Sequence, residues 1–307
     1  MKYLPFLNGI YSTAPGLIPV AKQEMEADKF IFQIDDSYNA YLENKKHCRT
    51  ENLQKYYLEE NAQTATTHRV NKYIVQQLQK EYPYYFDYTE TGNHCILINL
   101  VTSELIQWDK VTMKISNDKY LNLFDALCCQ VQVDIAVCQL QDSMDWLAAI
   151  HLCAPNHWAA EDKVGKPFNV VHAPVPGMEK TMPHYFKMLQ SVIQKGPFTR
   201  YAWGIATDNR LNHHPEAPPG INKQQWQGRA IDEHSQLYIR TERQNLVGFP
   251  QVNAFMFTIR TYFYEVTQLN NNEKKALWSA VRGMSEEALA YKGLTGVTDF
   301  LSKHLFE

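Results

Sequence analysis

Two runs of the sequence, residues 237–246 and 254–264, constrain this chain most. Both are rich in β-branched and aromatic residues, and the break between them centres on Gly248 and Pro250, residue types that end strands. They predict two strands joined by a turn. Strand alternation places Tyr238, Arg240, Glu242 and Gln244 on one face of the first. In the second, Phe255, Phe257, Ile259 and Phe263 share a face that reads as core. Ala254, Met256, Thr258, Arg260 and Tyr262 share the other, a mixture of apolar, cationic and phenolic groups suited to a pocket wall. Arginines in such a wall can hold carboxylates through paired hydrogen bonds. The plainer alternative is a lattice of ion pairs on a solvated face, with Arg240 or Arg243 meeting Glu242.

The rest of the chain surrounds this pair with helices and further strands. Residues 1–34, punctuated by Pro5, Pro15, Gly16 and Pro19, read as irregular. Asp35 or Asp36 can cap a helix that carries Tyr38, Tyr41 and Leu42 and ends near Arg49. A second helix runs from 67 to about 81, with Val70, Ile74 and Leu78 on one stripe. Residues 95–100 form a short strand. Leu123, Leu127, Val131 and Ile135 recur four apart and predict a buried helix over 121–140. Residues 168–175 and 200–207 read as strands, 146–153 as a strand with a helix left open by its periodicity, and 182–193 as a helix with Phe186, Leu189 and Ile193 inward. Residues 208–235 form a polar loop, a lid or a mobile segment, and 272–284 a helix. The sum is an α+β fold with a mostly antiparallel sheet.

One stretch of this chain, K-V-G-K-P-F-N-V-V-H-A-P-V-P-G at 163–177, carries the best candidate for chemistry. An apolar run delivers His172 just before Pro174 and Pro176, which stop further strand pairing. Imidazole held at that point suits a metal ligand, the alternative being a buried histidine bonded at a strand end. His151 and His157 are rival ligands. His213-His214 lies in a proline-rich loop and reads as exposed polarity. Dinucleotide, P-loop, nucleophile-elbow and H-E-x-x-H motifs are absent from the sequence. The six cysteines show no C-x-x-C pair, which excludes a zinc ribbon and a ligated iron–sulfur cluster. A net charge of -3 gives no general attraction for nucleic acid or anionic membrane. No apolar run is long enough to span a bilayer, and Pro5, Asn8 and Gly9 interrupt the signal-like start, so a cytoplasmic protein is expected. The 18 Tyr, 14 Phe and 6 Trp suit a large flat ligand and a packed core equally well.

Ordered blocks through most of the chain resemble the haem-dependent oxidative N-demethylase alpha-subunit family, also called the dimethylamine monooxygenase haem subunit. They include P-G-L-I-P-V at 15–20, D-D-S-Y-N-A-Y-L at 35–42, Y-P-Y-Y-F at 82–86, C-A-P-N-H-W at 153–158, and K-V-G-K-P with H-A-P-V-P-G within 163–177. R-Y-A-W-G-I at 200–205, I-R-T-E-R-Q-N-L at 239–246, F-T-I-R-T-Y at 257–262 and Y-K-G at 291–293 complete them. The resemblance implies a PAS-like, mostly antiparallel sheet wrapped by helices, binding haem b. It implies one haem-binding domain over 1–307: a helical region to about 90, a sheet core over about 95–265 and C-terminal helices over 272–307. It implies oxidation of a small methylated amine with dioxygen, release of formaldehyde, and a separate flavin or iron–sulfur reductase subunit. His172, in the family's H-x-P-V-P motif, becomes the expected axial ligand. Arg200, Arg240, Arg243 and Arg260 match family positions and are expected to anchor haem. Glu242 and Tyr262 are candidates to meet the amine. Ala202 stands where the family has Asn, and Gln132-Val133-Asp134 replaces Q-E-D, which bears on the substrate more than on the fold. A haem-binding sensor or carrier without turnover is the competing reading.

Overall fold

The computed structural model describes residues 2–228, 231, 235–296 and 298–306. The strands are β1 Ile18–Pro19, β2 Tyr57–Glu59, β3 Phe86–Thr91, β4 His94–Asn99, β5 Glu104–Asp109, β6 Asp134–Gln141, β7 Met144–His151, β8 Phe198–Ala206, β9 Tyr238–Phe249 and β10 Ala254–Glu265. Seven of them make one antiparallel sheet in the order β1-β8-β9-β10-β6-β7-β2, and β3-β4-β5 form a separate antiparallel meander. The helices are α1 Tyr38–Tyr56, α2 Thr64–Glu81, α3 Leu123–Cys128, α4 Phe168–His172, α5 Tyr185–Lys195, α6 Lys223–Gln227, α7 Asn271–Arg282, α8 Glu286–Lys292 and α9 Thr298–Phe306. The expected α+β class with a large antiparallel sheet is therefore present.

The long β9–β10 hairpin forms the centre of the sheet, with twelve paired positions. Its two faces are covered differently. On one, here the front, α5 packs Leu189, Val192 and Ile193 onto Leu246 and Phe255. A side chain on Gly248 would place its Cβ 2.1 Å from the Ile193 carbonyl oxygen, so glycine is what lets α5 lie this close. On the back, Val70, Ile74, Val75 and Leu78 of α2 join Val137, Val247, Phe249 and Met256. Leu277, Ala280 and Val281 of α7 cluster with Phe6, Trp203 and Ile239 there.

Two expectations are corrected. Residues 121–140 are not one helix: α3 stops at Cys128 and β6 begins at Asp134. Leu123, Leu127, Val131 and Ile135 are all buried as expected. A spacing of four, however, also keeps residues on one face of a strand, and the β-branched Val133, Ile135 and Val137 favour the strand. Residues 168–175 are likewise not a strand. Pro167 precedes a short turn of helix whose carbonyl accepts from the Val170 and Val171 amides, and Asp145 Oδ2 accepts from the Phe168 amide at 2.6 Å. His172 therefore ends a helical turn.

Candidate functional site

Register across the three central strands sorts the candidate side chains by face. Arg200 stands opposite Gln244, which stands opposite Ile259; Ala202 opposite Glu242 and then Thr261; Gly204 opposite Arg240 and then Phe263. Directly paired residues project to the same side of an antiparallel ladder. Arg200, Arg240, Glu242 and Gln244 therefore share the front with Phe257, Ile259 and Phe263. The rows Tyr201–Arg243–Arg260 and Trp203–Thr241–Tyr262 belong to the back. The expected division of β10 is thus modified: the phenylalanine face is also the face of Arg240 and Glu242, and the face of Arg260 and Tyr262 is covered.

Helix α4 brings His172 to the front. Its Nδ1 lies 2.9 Å from the Phe168 carbonyl oxygen, and the ring stacks on Phe168 with centroids 3.9 Å apart. A carbonyl only accepts, so Nδ1 carries the proton and Nε2 keeps a bare lone pair. Burial pushes the imidazole down to about 4; the Phe168 bond opposes this, and the charges of Arg200 and Lys163 add to it. A neutral ring with one nitrogen fixed by a backbone carbonyl is the arrangement that metal-binding histidines use.

Beside His172 the front face holds polar groups that lack partners. Arg200 Nε and Gln244 Oε1 are buried without a hydrogen bond. Burial holds the Arg200 guanidinium below its ordinary value, and the charge of Glu242 offsets part of that. Gln244 Nε2 donates to Glu242 Oε2 at 2.9 Å, and Arg240 Nε lies 3.8 Å from Glu242 Oε1. Gly204 is buried, yet a Cβ built on it would find no atom within 4 Å. A hollow thus lies over Gly204. Imidazole, an unpartnered guanidinium and an open cradle over glycine fit a flat ligand with an iron centre and carboxylate arms.

Arg240 closes one end of the front. Nη2 donates to the Ala154 oxygen at 2.7 Å, Nη1 meets His213 Nδ1 at 3.0 Å, and the guanidinium lies 5.4 Å from the Phe263 ring centre. The back-face residues are engaged elsewhere. Arg243 Nη2 donates to the carbonyls of Asp28 and Phe30 at 2.6 and 2.9 Å. Arg260 lies between the rings of Tyr41 and Tyr262 and donates to Asp35 Oδ2 at 2.9 Å. Tyr262 donates to Gln33 Oε1, and burial raises its pKa strongly. The structure thus brings His172, Arg200, Arg240 and Glu242 to one face and leaves Arg243, Arg260 and Tyr262 on the other.

The rival histidines have other surroundings. His151 is fully buried on the back, its Nε2 3.2 Å from Asp125 Oδ1 and 3.8 Å from Cys129 Sγ. These three groups are close enough to share a metal ion, but Arg49 already donates to the same Asp125 oxygen. That fixed cation opposes a second positive charge. His157 sits in a turn at φ 62, its ring 5.1 Å from that of His213. His213 and His214 are 3% and 2% exposed, which corrects their reading as exposed polarity. Sequence inspection missed His213 because its partner Arg240 is 27 residues downstream. It also passed over Gly204, although two small residues alternating on one strand face, Ala202 and Gly204, are a readable sign of close ligand approach.

Among the described residues no helix is long and apolar enough to cross a membrane. The chain matches the family described as haem-dependent oxidative N-demethylase, alpha subunit-like, over residues 21–302. The matched span contains β2 to β10 and every residue of the front-face site. The chain therefore belongs to the haem-dependent oxidative N-demethylase, alpha subunit-like family.

Proposed function

We propose that the protein is a haem-dependent monooxygenase that removes a methyl group from a small methylated amine, such as dimethylamine, as formaldehyde. The observation that carries this reading is His172: a neutral imidazole with a bare Nε2, beside an unpartnered arginine and a hollow over Gly204. In this reading His172 would bind the iron of haem b through Nε2, Arg200 would meet a propionate, and Arg240 would brace the site four residues along the strand. The absence of any C-x-x-C pair supports non-covalent binding. Bound haem would supply dioxygen activation and oxidation of the N-methyl carbon. The chain supplies the rest. The Phe168 carbonyl holds the proton on His172 Nδ1, α5 shields one end of the hollow from water, and Glu242 offers a carboxylate to a protonated amine. Arg243, Arg260 and Tyr262, committed on the back face, are assigned to the scaffold in this proposal.

Electrons must come from outside, since the sequence carries no flavin or iron–sulfur signature. A separate reductase subunit is therefore part of the proposal. So are a PAS-like arrangement of the seven-stranded sheet and a cytoplasmic location, to which six free cysteines are suited. The test is to supply the haem-loaded protein with excess chemical reductant, dioxygen and dimethylamine, so that the two electrons each turnover needs are present. Formaldehyde formed in proportion to the amine is expected. A stable dioxygen complex without formaldehyde would instead identify a sensor or carrier. An unchanged Soret band in His172→Ala would remove the axial assignment.

A further inference from the structure

The segment that follows β8 folds back over the front face and closes on Arg240. Asp208 Oδ1 lies 2.8 Å from His213 Nε2, and His213 Nδ1 lies 3.0 Å from Arg240 Nη1. A guanidinium only donates, so His213 Nδ1 accepts and its proton sits on Nε2, donated to Asp208. Asp208 Oδ2 is gripped by Arg210 through Nε at 3.1 Å and Nη2 at 2.9 Å. Arg210 in turn lies over the Trp226 ring, 4.4 Å from its centre, and donates to the Trp226 carbonyl at 2.6 Å. His213 is the shortest partner of Arg240 Nη1 at 3.0 Å, with the Leu211 carbonyl at 3.3 Å. Nη2 donates to the Ala154 oxygen at 2.7 Å and reaches Pro155 and Thr261 at 3.3 and 3.5 Å. Nε, without a hydrogen bond, lies 3.8 Å from Glu242 Oε1 as an ion pair. Arg240 and His213 are 2% and 3% exposed, so water does not readily replace either partner.

We propose that His213, oriented by Asp208, is a positioning residue that locks the Arg240 guanidinium against Glu242 and so fixes the carboxylate that meets the amine. The last link rests on the demethylase reading; the lock itself does not. Among the described residues, the charged and titratable groups facing His213 are Asp208 and Arg210 from its own segment, Arg240 from β9 and His157 from the turn after β7. Burial lowers the pKa of His213, Asp208 opposes this, and Arg240 adds to the lowering. Protonation at Nδ1 would remove the acceptor and set a positive ring against the Arg240 guanidinium, with the charge of Arg210 nearby, so acid opens the lock.

The test uses the full, haem-loaded chain and two variants. His213→Leu removes the acceptor; His213→Asn keeps an acceptor oxygen near Nδ1 and cannot be protonated. His213→Leu is expected to raise the KM for dimethylamine about tenfold, the scale of one hydrogen bond to a charged group, with the Soret band unchanged. His213→Asn is expected to restore the KM and to abolish the rise in KM that the unsubstituted protein shows in acid. Independently of turnover, a slowly exchanging Arg240 Nη1–H resonance, slowed by its bond to residue 213, is expected in the unsubstituted protein and in His213→Asn, and lost in His213→Leu. A resonance that survives in His213→Leu overturns the lock, and a lost resonance with unchanged KM overturns its role toward the amine. Should His213→Leu fail to fold, an acid rise in KM that persists in His213→Asn overturns the proposal. No formaldehyde from the unsubstituted protein refutes the demethylase reading, and the resonance then decides the lock alone.

Discussion

Two arginines on opposite faces of the central sheet, Arg243 and Arg200, are held in different ways. On the back, Arg243 is fully buried, and its Nη2 donates to the carbonyls of Asp28 and Phe30 while Nε and Nη1 make no hydrogen bond. Those carbonyls lie in a segment without regular pairing, and the guanidinium replaces the strand partner it lacks. On the front, Arg200 is just as cationic but its Nε has no partner, and the neighbouring Gln244 Oε1 is also unpartnered. The hollow beside it lies over glycine. A buried charge costs free energy unless something compensates it. Arg243 is compensated in part by two carbonyls of the chain; Arg200, for which no hydrogen bond is found among the described residues, leaves a role for a ligand.

Substitution of the two arginines is the strongest way to break this contrast. Arg243→Met strands two buried carbonyls and is expected to cost about 2–6 kcal/mol, roughly 1–3 for each, in urea denaturation of the haem-free protein. Arg200→Met removes a poorly compensated cation and is expected to change that stability by about 1 kcal/mol or less, in either direction, while weakening haem retention. Equal losses for the two variants would erase the distinction between the faces.

The next prediction concerns the hollow alone. Gly204→Ile adds a side chain where no atom lies within 4 Å, on a strand that favours β-branched residues. Haem-free stability is expected to stay the same or rise by about 0.5–1 kcal/mol. Haem affinity, followed by Soret titration, is expected to fall by at least tenfold, about 1.4 kcal/mol, because the cradle is filled. Normal haem uptake by this variant would move the cofactor away from the front face.

What the sequence made legible was mostly local. The alternation of β9 and β10, the apolar run of β7 and the stripe of α2 each depend on neighbours a few residues away, and each element forms within a few residues of its expected bounds. The failures share a physical cause. Leu123 to Ile135 satisfies both a helical and a strand pattern, so burial was readable and element type was not. The run ending in His172 lacked a strand partner, and Pro167 with Asp145 turned it into helix. Sidedness was the deepest loss. Alternation divides Arg240 from Arg243, and Arg260 from Thr261, into two sets, but which set meets a ligand depends on what covers each face. That depends on Tyr3, Asp28 and Gln33, more than 200 residues away in sequence, and on His213 within a loop that shows no periodicity.

The smallest expected effect is electrostatic and isolates His172 in the haem-free protein. Its folded pKa lies at about 4 against an ordinary 6.5, chiefly through burial, with Arg200 adding to the depression. Between those values the unfolded chain takes up a proton that the folded chain refuses, so stability rises with pH across this window. Acidification from 6.5 should therefore remove stability progressively until about 4, where the loss levels off. The ring retains some solvent contact, so the loss is expected to be about 1–2 kcal/mol rather than the full value of the shift. His172→Phe, which keeps an aromatic ring on Phe168, should flatten this limb in urea midpoints measured at pH 4 and 6.5. Haem should flatten it too in the unsubstituted protein, because a proton and a metal compete for the same Nε2 lone pair. A limb that persists in His172→Phe would mean that another group on the front face binds that proton, and the neutral imidazole would lose its place at the centre of the site.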